Sequence, residues 1–282
     1  MKKRIAIQGI RGSNHHQVAL EYFGEDTDLV ESMSFDYLVD RLLDKKADLG
    51  VMAIENSIAG SIIPNYALIY HNDLQIIGEH YLNINHNLMV LKGQTIADIQ
   101  EVRSHPMALL QCKEFFRDYP NIKLVEDVDT AETAKRIQNQ QLRHIAAIAP
   151  NVAAVLYDLD IVAERIQTIK NNATRFIIVS TKQLSIDEGE KLIANNHITK
   201  ASVRFVTDHK RGSLAAILNV MSDCNLNLTK IQSLPIIEKP WKYAFFVDVT
   251  FEEYGHFEKA KVLLDIMSED FTLLGEYKNV RL

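Results

Sequence analysis

Four short polar stretches in this 282-residue chain could do chemistry. Asn171-Asn172-Ala173-Thr174-Arg175-Phe176 offers a hydroxyl and a guanidinium at the mouth of an apolar run over 176–179. Arginine grips a carboxylate through two parallel N–H bonds, so it positions an anion as well as neutralising it. Glu55-Asn56-Ser57 closes another apolar run; a carboxylate, an amide and a hydroxyl in succession supply both donors and acceptors. Ser104-His105-Pro106, with Gln111-Cys112 beyond it, reads as a helix start. Four backbone N–H groups there lack intrahelical acceptors, and a protonated His105 would make the end a carboxylate receptor. Gly9-Ile10-Arg11-Gly12-Ser13 places glycines between a strand and a helix, where backbone donors and the helix dipole favour an anion. The third glycine of a dinucleotide fingerprint is missing. Each stretch alone is equally explained by a cap, a loop or a surface ion pair. Ser57 lacks a nucleophile elbow. Cys112, two turns into its helix, fits a packed thiol better than a reactive one.

The elements that must hold these groups follow an α/β rhythm. A strand over 4–8 leads through the glycine turn to a helix over 14–23, stopped by Gly24. Ser34 caps a second helix whose buried face is expected to carry Leu38, Leu42 and Leu43. The unbroken apolar run over 49–54 is a strand of the kind covered on both faces. Residues 74–91 alternate without helix punctuation and read as extended chain crossing between two lobes. In the second lobe, Ser104 is expected to cap a helix with Pro106 in its first turn, and Asp129-Thr130-Ala131-Glu132 has capping-box spacing. A strand over 145–149, a helix from Pro150 and a strand over 176–180 complete the unit, with a return crossing near 170–180.

Residues 182–198 turn polar and read as a linker. Strands over 201–207, 226–236, 242–251 and 271–278 then interleave with helices over 212–222 and 256–267, in the ferredoxin-like β-α-β-β-α-β order. Pro240 and Trp241 fall in the hairpin between the middle strands. The expected fold class is α/β: a two-lobed unit over 1–181 with a cleft between its lobes, and a smaller ferredoxin-like domain over 199–282.

Bulk composition excludes several functions. A net charge of −6 without a basic, aromatic-interleaved stripe gives no footprint for nucleic acid. No apolar run reaches the roughly 18 residues of a membrane span, and Ile5-Ala6-Ile7 is too short for a signal-peptide core. Cytoplasmic residence is expected, and two cysteines fit that compartment better than a disulfide framework. His15 and His16 are adjacent and diverge, so no metal site is expected.

Together these stretches resemble the prephenate dehydratase family along nearly the whole chain. The matching segments are Gly9 to Ser13, Glu55-Asn56-Ser57, Ser104-His105-Pro106 with Gln111-Cys112, and Thr174-Arg175-Phe176. Gly212-Ser213-Leu214, Leu226-Asn227-Leu228-Thr229-Lys230-Ile231 and Tyr243-Ala244-Phe245-Phe246-Val247-Asp248 resemble an ACT domain. The resemblance implies periplasmic-binding-protein-like lobes that convert prephenate to phenylpyruvate, carbon dioxide and water in phenylalanine biosynthesis, without a cofactor. The family's essential threonine falls on Thr174. With Arg175 it forms the implied catalytic pair, and Gly12, Ser13, Glu55, Asn56, Ser57, Ser104, His105 and Phe176 are the implied substrate-binding positions. L-Phenylalanine regulation is implied at Gly212, Ser213, Leu214, Asn225, Asn227 and Ser233, in a homodimer or homotetramer. The form is expected to be monofunctional. Arogenate dehydratase, or an amino-acid-sensing binding protein without turnover, are the alternatives. Three departures from the family pattern stand out: Ser13-Asn14 in place of Thr-Phe, Met107 in place of glutamine, and Gln232-Ser233-Leu234-Pro235 in place of Glu-Ser-Arg-Pro.

Overall fold

A computed structural model of the chain describes residues 2–181 and 198–281. It divides into two compact units, the first comprising Met1–Gly60 and Tyr81–Phe176, the second Ser61–His80 and Ile177–Leu282. The chain opens with β1 (Arg4–Gln8), α1 (Asn14–Phe23), β2 (Asp28–Ser32), α2 (Phe35–Leu43) and β3 (Leu49–Asn56). It passes through β4 (Gly60–Ser61), α3 (Ile63–His71) and β5 (Leu74–Asn83). Next come β6 (Asn87–Val90), β7 (Glu101–Ser104), α4 (Pro106–Cys112), β8 (Lys123–Glu126) and α5 (Thr130–Gln140). They are followed by β9 (Ile145–Ala149), α6 (Asn151–Leu156), β10 (Asp160–Ala163) and β11 (Ala173–Thr181). The last elements are β12 (Lys200–Val206), α7 (Ser213–Asp223), β13 (Asn227–Pro235), β14 (Tyr243–Thr250), α8 (Tyr254–Met267) and β15 (Asp270–Tyr277).

The first unit has two lobes, each built on its own strands. In one, β2, β1 and β3 run parallel, with Ile5 opposite both Leu29 and Leu49. Ser34 caps α2 by accepting the Tyr37 N–H, and Leu38 and Leu42 face inward as their spacing predicts. Leu43 does not: it is 47% exposed at the helix end, where one further residue has rotated off the buried stripe. In the other lobe the strand order is β10-β6-β9-β7-β8. Its core joins Leu88, Val102, Ala146 and Ile148 to Ala108, Leu109 and Cys112 of α4. The expected crossing over 74–91 is extended, as β5 and then β6.

In the second unit β13, β14, β12 and β15 form an antiparallel sheet in that order. Its helices pack on one face: Ile217 and Met221 of α7 and Phe257, Ala260 and Leu264 of α8 share a core with Val203, Phe205, Val247 and Val249. This is the ferredoxin-like order expected from sequence, with each element within two residues of its predicted bounds. β15 meets β5 at Gly275 and Ile76, where a Cβ on Gly275 would lie 2.0 Å from the Ile76 carbonyl oxygen. Only glycine allows that approach. The expected linker lies outside the described residues, apart from Ile198. Five of these elements have no counterpart in the sequence reading: β2, β4, α3, β8 and β10.

Candidate active site

The centre of the site is where the end of β3 meets the start of β11. Asn56 directs its carbonyl oxygen at the backbone N–H groups of Ile58 and Ala59, at 3.0 and 2.8 Å. Its amide nitrogen then donates to Thr174 Oγ1 at 2.9 Å and to Asn172 Oδ1 at 2.7 Å. Ser57 Oγ accepts the Ala173 N–H, at 2.9 Å. Asn172 in turn donates from Nδ2 to Gln111 Oε1 at 2.9 Å, and the same oxygen lies 2.8 Å from His86 Nε2. Burial lowers the pKa of His86, more than its contact with Gln111 raises it. The result is one continuous polar chain through the interior, from Thr174 to His86. Gln111 and Asn172 figured in the sequence pattern without a role; His86 carried no local signal that would have joined it to Thr174.

The glycine turn is more closed than its composition suggests. Gly9 N–H donates to the Ser32 carbonyl, Arg11 N–H to Glu31 Oε1 at 2.9 Å, and Gly12 N–H to His16 Nδ1 at 2.9 Å. Ser13 N–H bonds to the Ile10 carbonyl, and the Ser13 hydroxyl caps α1 by accepting the His16 N–H at 3.3 Å. These amides are therefore not open to an anion, and a carboxylate already stands on the turn. Gly9 and Gly12 both adopt positive φ, at 83° and 95°. A Cβ on Gly12 would lie 2.9 Å from the Tyr157 ring, and one on Gly9 would lie 3.0 Å from Asp129 Oδ2. Asp129 caps α5 through its other oxygen, and burial raises its pKa. Tyr157 donates to the Arg11 carbonyl. Asp129 and Tyr157 cover the turn from the other lobe, a relation that no local pattern encodes.

Two expectations on the helix at 106–112 change. His105 caps it, accepting the Met107 N–H at its Nδ1. Ser104 instead ends β7, fully buried, and donates to the Ile148 carbonyl at 2.7 Å. Its hydroxyl is spent inside the lobe because the strand runs one residue further than the cap reading assumed. Cys112 is buried, which pushes its thiol up to about 12, so packing is its role. Thr174 and Arg175 are neighbours in a strand, and successive strand side chains leave opposite faces. Thr174 shares its face with Phe176, whose ring meets His15 edge-on at 5.0 Å; Arg175, 4% exposed, projects from the other. Glu55 is half-buried at the end of β3.

A family model described as prephenate dehydratase matches residues 5–184, well over half of the chain. The chain belongs to the prephenate dehydratase family. It is an enzyme of that class, a carbon–oxygen lyase. Arogenate dehydratase/prephenate dehydratase 2, chloroplastic, of Arabidopsis thaliana is 33% identical over 286 residues, spanning 97% of this chain and 72% of its own. Among solved structures, GqqA, described as a novel type of quorum quenching acylase, superposes with a TM-score of 0.84 at 23% identity over 98% of both chains. The prephenate dehydratase of Arthrobacter aurescens in complex with L-Phe gives a TM-score of 0.84 at 22% identity, over 99% of this chain and 90% of its own. Both structural likenesses show the fold.

In this prephenate dehydratase family member the residues expected to bind an effector lie on the second unit. Gly212 is exposed with φ of 88° and precedes α7, where Ser213 and Leu214 are half-buried. Asn225, with φ of 57°, precedes β13, Asn227 is its first residue, and Ser233 is exposed near its end. A cavity of about 450 Å³ opens elsewhere on the unit, lined by Tyr70, Arg204, Leu234, Phe246 and Asp270 among others. It takes in Leu234 and Pro235 but none of those six residues. Arg204 there pairs with Asp270 at 2.5 Å and lies 3.8 Å over the Tyr70 ring.

Proposed function

We propose that this enzyme removes carbon dioxide and water from prephenate to give phenylpyruvate, with Thr174 at the reacting centre. The observation that carries the reading is the state of the Thr174 hydroxyl. It is 7% exposed and accepts a hydrogen bond from Asn56, and among the described residues it donates to no protein acceptor. Its hydrogen is therefore available to a ligand.

In the reaction the carboxylate C–C bond breaks and its electrons complete the aromatic ring. The C–O bond to the ring hydroxyl breaks in the same direction, and the departing oxygen takes a proton to leave as water. The protein must hold the dianion and stabilise charge growing on that oxygen. A threonine hydroxyl is a weak acid, so Thr174 acts as a hydrogen-bond donor to the departing oxygen and solvent supplies the proton. Arg175, buried on the opposite face of the strand, supplies positive potential for the carboxylates through space, and His105, exposed at the start of α4, a polar contact. Asn56 and Ser57 hold the start of β11, and with it Thr174. The Gly12–Ser13 turn shapes the wall, and Ser104 supports it from within. Glu55 and Phe176 complete the lining.

The division into a catalytic region over 1–181 and an ACT regulatory domain over 199–282 is part of this reading, as is feedback by L-phenylalanine in a homodimer or homotetramer. The Arthrobacter aurescens enzyme of the same fold was solved in complex with L-Phe, which supports it. No helix among the described residues is long and apolar enough to cross a membrane, and Cys112 and Cys224 are free thiols, in keeping with a cytoplasmic enzyme. Arogenate is the competing substrate, since the Arabidopsis relative is named for both activities. It differs by an amino group where prephenate has a keto group. Incubating purified protein with each substrate separates the cases: phenylpyruvate from prephenate is expected. Phenylalanine from arogenate alone would reassign the substrate, and no product from either would reject the reading.

A further inference from the structure

The polar chain ending at Thr174 has a direction, and it can be deduced bond by bond. Backbone N–H groups only donate, so the Asn56 atom facing Ile58 and Ala59 must be the carbonyl oxygen. The two hydrogens of the Asn56 amide nitrogen then go to its two short contacts, Thr174 Oγ1 and Asn172 Oδ1, with the Ala173 carbonyl a longer contact at 3.4 Å. Asn172 therefore turns its nitrogen to Gln111, and Gln111 meets it with Oε1. That oxygen can only accept, so His86 Nε2 at 2.8 Å has to carry a hydrogen.

We propose that His86 is a positioning residue for the reaction: as an Nε2–H donor it holds Gln111, and through Asn172 and Asn56 it keeps the Thr174 hydroxyl hydrogen turned toward the substrate. The chain is pinned at both ends, by two backbone amides at Asn56 and by one imidazole N–H at His86. Were Gln111 to flip, its nitrogen would face the Asn172 nitrogen, and relieving that clash would pass the conflict on to Asn56. With the chain in order, Thr174 Oγ1 receives a hydrogen bond from Asn56 and keeps its own hydrogen to donate onward. His86 is 5% exposed, and Gln167 Oε1 accepts its backbone N–H at 3.0 Å. Burial lowers its pKa, which favours the neutral ring, and a neutral ring carries its hydrogen on one of two nitrogens. Protonation would leave the Nε2–H in place, so the direction of the chain survives moderate acid.

This inference rests on the proposed role of Thr174, but its first test does not use activity. Long-range ¹H–¹⁵N spectra of the histidine rings, assigned by difference against His86→Gln, are expected to show His86 in the Nε2–H form. A wild-type ring in the Nδ1–H form would overturn the inference, even in a fully active enzyme. The second test is kinetic. His86→Leu removes the donor and is expected to lower kcat roughly tenfold with KM for prephenate unchanged, the scale of one hydrogen bond released at the transition state. His86→Gln places an N–H the same number of bonds from Cβ and is expected to restore most of that loss. Equal losses in both variants, or wild-type kcat in His86→Leu, would overturn the role. If His86→Leu does not fold, the wild-type tautomer and His86→Gln decide alone. A wild-type protein that fails to turn over prephenate would reject the proposed function while leaving the tautomer result standing.

Discussion

Each unit contains a chain of buried polar side chains, and the two chains end differently. In the first unit the sequence of contacts His86–Gln111–Asn172–Asn56–Thr174 consists of neutral groups, and its last member keeps a hydrogen with no protein acceptor among the described residues. In the second unit Lys200 Nζ meets Glu79 Oε2 at 2.8 Å, and the Glu79 side chain also accepts the Val280 N–H. Beside it in sequence, Ser202 bonds to both Asp248 and Tyr277. These groups are charged or strongly polar, nearly all of them fully buried, and closed on one another. The difference separates two uses of buried polarity. A closed charged pair makes one arrangement costly to leave, whereas an open neutral chain presents a donor of fixed direction to a ligand.

The comparison breaks most visibly at Lys200. Lys200→Met would take the ammonium away from the buried Glu79 carboxylate, and a loss of about 3–5 kcal/mol in urea unfolding is expected. Turnover per folded molecule should hold. Adding Glu79→Gln should recover much of that loss, since replacing a whole buried pair is far milder than halving it. Thr174→Val makes the opposite demand. It should lower kcat by about 10²–10³-fold, roughly 2.7–4 kcal/mol in the barrier. KM and the unfolding midpoint should stay close to wild type. A variant that lost stability and kept turnover would reverse the assignment.

His15 sharpens the contrast on a smaller scale. It is buried against Phe35 and Phe176, its Nε2 meets no hydrogen-bond partner among the described residues, and burial pushes its pKa down to about 3. The unfolded ring titrates at about 6.5. Between those values the unfolded chain holds a proton that the folded chain refuses, so stability falls as pH drops from 6.5 toward 3. This one group contributes a slope of up to about 1.4 kcal/mol per pH unit. His15→Phe should remove that part of the acid slope, read as the change in thermal midpoint between neutral and mildly acidic buffer. An unchanged slope would show that His15 does not set it. The smallest expected effect is that of L-phenylalanine. Millimolar ligand should inhibit roughly fivefold or shift the sedimentation profile, in keeping with typical coupling energies. Silence in both would mean that the Gln232-Ser233-Leu234-Pro235 segment has lost its effector.

Much of the scaffold was legible because it depends on local rules. Ser34 and Asp129 cap the helices their spacing announced, Gly24 ends α1, and the β-α-β-β-α-β order lies open in the alternation of apolar runs. β2 has no strand signal of its own, because Asp28-Leu29-Val30-Glu31-Ser32 has neither clean alternation nor an apolar run; its pairing with β1 makes it a strand. Ser104 was misplaced for a related reason. Serine before His-Pro suits a cap, but the pairing of β7 with β8 extends through Ser104 and hands the cap to His105.

The order of residues along the chain determined which chemical groups this enzyme possesses and which elements carry them, since periodicity, caps and turns act over a few positions. It also determined that Thr174, Asn56 and Gln111 belong to one family pattern. Tertiary structure alone decided which of those groups are spent and which remain open. Asn56 finds Asn172 and Thr174 across 116 and 118 positions, and Tyr157 covers the turn at Arg11 across 146. A hydrogen-bond partner is chosen by proximity and direction in space, and a buried donor cannot reveal from its neighbours in sequence whether an acceptor waits for it.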